Sequence, residues 1–148
     1  MIAVRYGSYY APWRTNRLAD KLCVALGIII QAGRVLIAQR KDTRAFPGTW
    51  EFPGGKFEPG DADLRYTLRR ELHEELGIDA QVCDCLLTCP FPHDQNVELN
   101  FFKVVSFTGT PALKDHTGLM WIQPFDVYKY NLINPAMFMA VGALMKRT

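Results

Sequence analysis

EFPGGKFEPGDADLRYTLRRELHEELGI, residues 51–78, decides how this chain is read. It runs from a glycine-rich loop into a helix whose last turns carry Glu71, Glu74 and Glu75. Residues three and four apart share a helical face, so Glu71 sits beside both of the others. Like charges at that spacing destabilise a helix by a few tenths of a kcal/mol per pair, and acids near a C-terminus also oppose the helix dipole. Two readings answer that cost: a solvated acidic face relieved by Arg69, Arg70 and His73, or a cation gripped by the acids. Gly54 and Gly55 let backbone approach a ligand closely, and Pro53 fixes the chain ahead of them. Clustered carboxylates and carbonyls suit hard cations, Mg²⁺ or Mn²⁺, which commonly bridge protein to phosphate oxygens.

Leu64, Leu68, Leu72 and Leu76 recur every fourth residue and form an apolar stripe able to bury against a sheet. At 100° per residue Glu75 falls within about 20° of Leu64, so the acidic patch begins where the stripe ends. Glu75 is therefore expected to be the least exposed of the three, and a sheltered carboxylate needs a metal, an arginine or a proton. Gly77 stands where a helix-ending glycine would.

The segment resembles the Nudix box, G-x5-E-x7-R-E-U-x-E-E-x-G-U with U aliphatic. Arg70, Glu71, Leu72, Glu74, Glu75, Gly77 and Ile78 match its second half without a gap. Counting from Gly55, Asp61 occupies the acidic position of the first half, and eight residues rather than seven separate it from Arg70. Either the loop holds one extra residue or the helix starts differently, with Asp61 or Asp63 as its N-cap. The wording WEFPGGKFEPG further resembles the MutT-like branch.

The resemblance implies an α+β fold, an α/β/α sandwich around a central mixed β-sheet. It implies an enzyme that cleaves a nucleoside triphosphate, such as 8-oxo-dGTP or CTP, to monophosphate and pyrophosphate. Glu71, Glu74 and Glu75 would hold Mg²⁺ or Mn²⁺ with the carbonyl of Gly55, and Asp115 would add a loop acid. Arg70 would orient the acids by bidentate hydrogen bonds, and Glu74 would act as the base. Asn134, just before the last helix, sits where MutT-like proteins place an asparagine that reads a purine edge, though it also suits a helix N-cap. Phe91 and Trp50 are aromatic candidates for stacking on the base, or core residues. Two other readings stand beside this one: hydrolysis of another nucleoside diphosphate-linked compound, and a Nudix-like module that senses a nucleotide without chemistry.

Length and composition agree with a single domain over residues 21–148. The chain has 148 residues, 49% hydrophobic and 22% charged, and a net charge of +2, too small and too dispersed to argue for polymeric nucleic acid. No apolar run reaches the length of a membrane span and no signal peptide is visible, which makes a cytoplasmic location the expectation. The first 20 residues hold three tyrosines, a tryptophan and a proline without a period, and read as an arm on the body or on a second copy in a homodimer. Cys85, Cys89 and His93 follow at four-residue steps, but paired C-x2-C spacing is missing. Alternating Cys83 and Cys85 read better as one face of a strand than as zinc ligands.

Along the chain, LCVALGIII and RVLIAQR flank Ala32 and Gly33 as a hairpin. Arg40 follows, in contact with a triphosphate or in a solvated turn, and Lys41 and Arg44 read as solvated. DAQVCDCLLT and VELNFFKVVSF are strands of an antiparallel pair separated by the breaker-rich CPFPHDQN. LMWI is a short strand, QPFDVYKYNL a helical turn, and Pro135 opens a last helix.

Overall fold

Alternation of large apolar side chains builds the sheet. The computed structural model describes residues 21–146, so the arm expected over residues 1–20 lies outside them. Strand β1 (Leu22–Gln31) turns through Ala32 and Gly33 into β2 (Arg34–Gln39). Both turn residues have positive φ, 51° and 74°, as a two-residue hairpin requires.

Strands β3 (Trp50–Glu51) and β4 (Gly54–Lys56) come next, then α1 (Leu64–Leu76), β5 (Asp79–Phe91), β6 (Asp94–Thr108), β7 (Gly118–Ile122), a 3-10 helix (Pro124–Lys129) and α2 (Ala136–Lys146). The sheet order is β3-β2-β1-β6-β5, with β4 also on β1 and β7 also on β2. The β1–β6 pair is parallel and the other pairs are antiparallel, so the sheet is mixed as expected.

Neighbouring residues on a strand point to opposite faces, and each face carries one helix. Ile29, Leu36, Phe102 and Val104 pack with Leu68, Leu72 and Leu76 of α1. Ile28, Ile37, Phe101 and Leu99 pack with Met137, Ala140, Val141 and Leu144 of α2. The result is the expected α/β/α sandwich. Asp63, not Asp61, caps α1: its side chain accepts from the Tyr66 N–H at 2.8 Å, and Gly77 closes the helix at φ 71°.

Two differences matter for the site. The glycine-rich stretch read as loop contains β3 and β4, and β1 pairs with β4 at Val24, Ala25 and Leu26 before it meets β2 at Ile30 and Gln31. The sheet therefore splits, and the split leaves a cleft between β1 and the end of β2. Second, β5 runs through Cys89 and Pro90 to Phe91, where only breakers were seen. It is an edge strand with several register shifts, which is where a ladder tolerates proline.

Gly54 makes the split possible, because a Cβ there would overlap the carbonyl oxygen of Ala25 and its φ is 154°. Gly33 also has positive φ but meets nothing within 4 Å. Gly54→Ala should cost about 2–4 kcal/mol in urea unfolding, against about 1 kcal/mol for Gly33→Ala. Equal losses would mean that the close approach of β4 to β1 is not a constraint.

Candidate active site

The leucine stripe fixes where the acids go. Leu68, Leu72 and Leu76 are fully buried, so α1 cannot rotate, and its three glutamates take three environments. Glu74 is at the rim, its side chain 57% exposed. Glu71 lies against β4 so closely that a Cβ on Gly55 would overlap its carboxylate. Glu75 lines the cleft, and its Oε2 is buried without a hydrogen-bond partner.

Burial and the charges of Glu51, Glu71 and Asp115 push the Glu75 carboxyl well above the usual glutamate range, and a hydrogen bond from the Gly54 backbone only eases this. Burial also raises Glu71, against the opposing pull of Arg70.

Arg70 is the clamp of the helix. Its Nε and Nη2 donate to Oδ1 and Oδ2 of Asp61 at 3.0 and 2.9 Å. Nη1 donates to Glu71 Oε1 at 2.9 Å and Glu74 Oε2 at 3.4 Å, and Nη2 reaches the Lys56 carbonyl at 3.2 Å. The bidentate partner expected among the glutamates is thus Asp61, and each glutamate keeps its second oxygen. Asp61 also accepts from the Glu58 N–H and the Thr67 hydroxyl. Burial alone would raise its pKa, but these bonds and the Arg70 charge outweigh that and hold it below its ordinary value.

Among the described residues no three His, Cys, Asp or Glu side chains converge as a ready-made metal cage. For the glutamates the reason is electrostatic, since like charges spread and Arg70 draws two of them aside. Cys85, Cys89 and His93 do not assemble either. Cys85 faces the Leu87 carbonyl and the Thr88 hydroxyl, and the His93 ring packs on Phe46 and Phe91.

The cleft, an open space of about 570 Å³, collects residues from both sides of the split. One end holds Glu75, Glu51, Asp115, Arg40, Lys41 and Arg44, and the other is walled by Val24, Leu26, Phe52, Leu99, Ile133 and Met137. Arg40 is no solvated turn residue: it is 6% exposed, with Nη1 on Glu51 Oε1 at 2.8 Å and Nε on the Ala45 carbonyl at 2.6 Å. Glu51 was not singled out from the sequence. It also meets His116 Nε2 at 2.9 Å, while His116 Nδ1 is buried without a partner. Asn134 caps the last helix, its Oδ1 accepting from the Ala136 N–H at 2.9 Å, and the residue also lines the cleft. Phe91 is a correction. It is fully buried, packed edge-on against Phe46 and away from the cleft, because β5 carries it into the core. Trp50 stacks edge-on with Tyr130 and does not line the cleft either.

The NUDIX domain matches residues 21–139. The chain belongs to the Nudix family. It is similar to the CTP pyrophosphohydrolase of Escherichia coli K12, 38% identical over 114 residues that make up 74% of this chain and 81% of that one. It is also similar to the 8-oxo-dGTP diphosphatase of Proteus vulgaris, 42% identical over 90 residues, 59% of this chain and 79% of that one. Among solved structures, the E. coli ORF135 protein matches with a TM-score of 0.75 at 35% identity, covering 86% of this chain and 90% of that one. The MutT protein of Methanosarcina mazei Go1 shares the fold with a TM-score of 0.75 at 20% identity, covering 86% and 95%. Among the described residues no helix is long and apolar enough to cross a membrane.

In this Nudix box the extra residue sits in the loop before Asp63, and Asp61 still reaches Arg70. Replacing Asp61 with Asn should therefore cost about 2 kcal/mol of stability at pH 7, measured by denaturant unfolding. Because the folded-state pKa is depressed, the contribution is full above the ordinary aspartate range and is lost as the pH falls through the folded value. The gap between wild type and variant should then close below about pH 4. A gap independent of pH would deny that the Asp61 charge carries the clamp.

Proposed function

We propose that this chain is a divalent-metal-dependent nucleoside triphosphate pyrophosphohydrolase that releases a nucleoside monophosphate and pyrophosphate. The carrying observation is the orphaned Oε2 of Glu75, buried amid the charges of Glu51, Glu71 and Asp115 at the mouth of a cleft with an apolar far end. A buried anionic oxygen with no donor and three acidic neighbours fits a hard cation. Glu71, Glu74 and Glu75 would hold Mg²⁺, or Mn²⁺, with the carbonyl of Gly55 and with Asp115 from the opposite loop.

Such an ion supplies charge neutralisation on phosphate oxygens and lowers the pKa of water. The chain supplies the rest. Arg70, locked by Asp61, holds one oxygen of Glu71 and one of Glu74 and leaves the others to face the ligand. Glu74, the most exposed of the three, is the acid placed to take the proton of the attacking water. Arg40 sits on the phosphate side of the cleft, though its ion pair with Glu51 makes it first a brace for that carboxylate. The apolar wall takes the base, and Asn134, whose Oδ1 is engaged in capping, offers its amide N–H groups to a base edge. The names of the relatives support this reading, and because one acts on CTP and another on 8-oxo-dGTP, the base is the open variable.

Incubation with Mg²⁺ and a panel of canonical and oxidised (d)NTPs and dinucleotides should yield pyrophosphate with monophosphate from at least one triphosphate. Inactivity on all of them beside measurable nucleotide binding would turn the reading to a sensor.

Glu75→Gln should lower hydrolysis by about a hundredfold or more. It should also raise the melting temperature of the metal-free protein at pH 7, since a raised folded-state pKa means that the charge opposes folding above the ordinary glutamate range. That gain should vanish below about pH 4.5, and Mg²⁺ should no longer stabilise the variant. Retained Mg²⁺ stabilisation in Glu75→Gln would remove Glu75 from the metal site.

A further inference from the structure

Lys41 and Arg44, read from the sequence as solvated, stand at the mouth of the cleft on a braced loop. The Arg40 N–H donates to the Thr49 carbonyl at 2.9 Å and the Gly48 N–H to the Arg40 carbonyl at 3.1 Å, which closes the loop at its base. Its far side is pinned by Phe46, whose ring lies 4.9 Å from that of His93 and 6.1 Å from that of Phe91. A turn held at both ends presents its cations in one place.

What those cations meet is a single carboxylate from the facing loop. Arg44 Nη2 lies 3.0 and 2.8 Å from Oδ1 and Oδ2 of Asp115, and Lys41 Nζ lies 3.7 Å from Oδ1. The backbone beside Asp115 is fixed, because His116 is buried on Glu51 and the Thr117 N–H donates to the Gln39 carbonyl at 3.0 Å. The Asp115 side chain is the part able to move. The three side chains are 38%, 41% and 32% exposed for Lys41, Arg44 and Asp115, and exposed ion pairs are individually weak. A phosphate group brings more charge and more acceptor oxygens than a carboxylate and matches the guanidinium fork equally well.

We propose that Lys41 and Arg44 form a grip for the polyphosphate tail of the substrate, and that Asp115 latches this grip until a phosphate takes its place. This rests on the pyrophosphohydrolase reading for its ligand and deepens it, assigning the outer phosphates to the loop after β2. Two cations matched to one displaceable anion make a site that recognises a chain of phosphates rather than the base. The exchange also frees the Asp115 carboxylate on the same side of the cleft as Glu75.

The test is inorganic pyrophosphate binding to the metal-free, full-length protein by calorimetry, which needs neither hydrolysis nor a nucleotide. Asp115→Asn removes the latch and should bind pyrophosphate about fivefold tighter or more than wild type, an advantage that shrinks as salt rises. Arg44→Ala and Lys41→Ala should each weaken binding, and Arg44→Ala in the Asp115→Asn background should abolish the gain. In turnover, Arg44→Ala should raise KM for the triphosphate about tenfold with kcat within about threefold, and Arg44→Lys should restore only part of it. All three side chains are partly exposed, and melting curves confirm that each variant is folded before binding is read. Unchanged or weaker pyrophosphate binding by Asp115→Asn overturns the latch, and unchanged binding by Arg44→Ala overturns the grip. If the latch result holds while no triphosphate is hydrolysed, the function reading fails and the anion site stands; active hydrolysis with no effect of Asp115→Asn fails the latch alone.

Discussion

Burying one stripe of leucines sets the direction of everything charged in this protein. Each fully buried leucine of α1 is worth about 1.5–3 kcal/mol, whereas repulsion between neighbouring glutamates on a helix is a few tenths. The apolar term therefore wins, and the helix settles with Glu75 turned inward whatever its charge prefers. The chain then limits the damage in steps. Arg70 takes one oxygen each of Glu71 and Glu74, and Asp61 takes the other side of the Arg70 fork. Glu75 is left with a buried oxygen that no described residue satisfies.

That arrangement explains why the acids do not form a cage by themselves. Carboxylates without a counter-charge separate, and the guanidinium offers two of them a better partner than each other. A site that binds a cation is built the same way round: the fold holds the carboxylates near enough to converge and leaves the final convergence to the ligand. The clamp sets the distance that remains to be covered, because Asp61 and the Lys56 carbonyl keep Arg70 from following the glutamates.

The parts legible in the sequence are those whose signal is local. The first hairpin carries two apolar runs and a turn at Ala32 and Gly33, and α1 carries its stripe, an aspartate cap narrowed to Asp61 or Asp63, and its Gly77 stop, Asp63 to Gly77 spanning fifteen residues. The parts that were not legible depend on partners far along the chain. Gly54 and Gly55 look like loop residues and are strand residues, because what makes them a strand is Leu26 and Ala25. Glu51 has no distinguishing neighbour in sequence; Arg40 and His116, the residues that give it a role, lie 11 and 65 positions away. Phe91 in a breaker-rich stretch looked available for stacking, and an edge strand that tolerates Pro90 carried it into the core instead. Asn134 posed a choice between capping and recognition, and of these the structure displays the cap.

The two ends of the cleft are built by different elements, and this separates what they can do. The acidic end comes from α1, the end of β3 and the loops after β2 and before β7, while the apolar end comes from β1, β6, Phe52 just after β3 and the residues that lead into α2. Residues 131–133 are tied to the first half by the Trp50 N–H donating to the Asn131 carbonyl and the Ile133 N–H to the Trp50 carbonyl, at 2.8 and 3.0 Å. Substitutions along the apolar wall can reshape that end of the cleft without breaking a hydrogen bond to the carboxylates, because among the described residues no apolar wall side chain bonds to them. Changes in Arg70 or Asp61, by contrast, would loosen the acids while leaving the wall as it is.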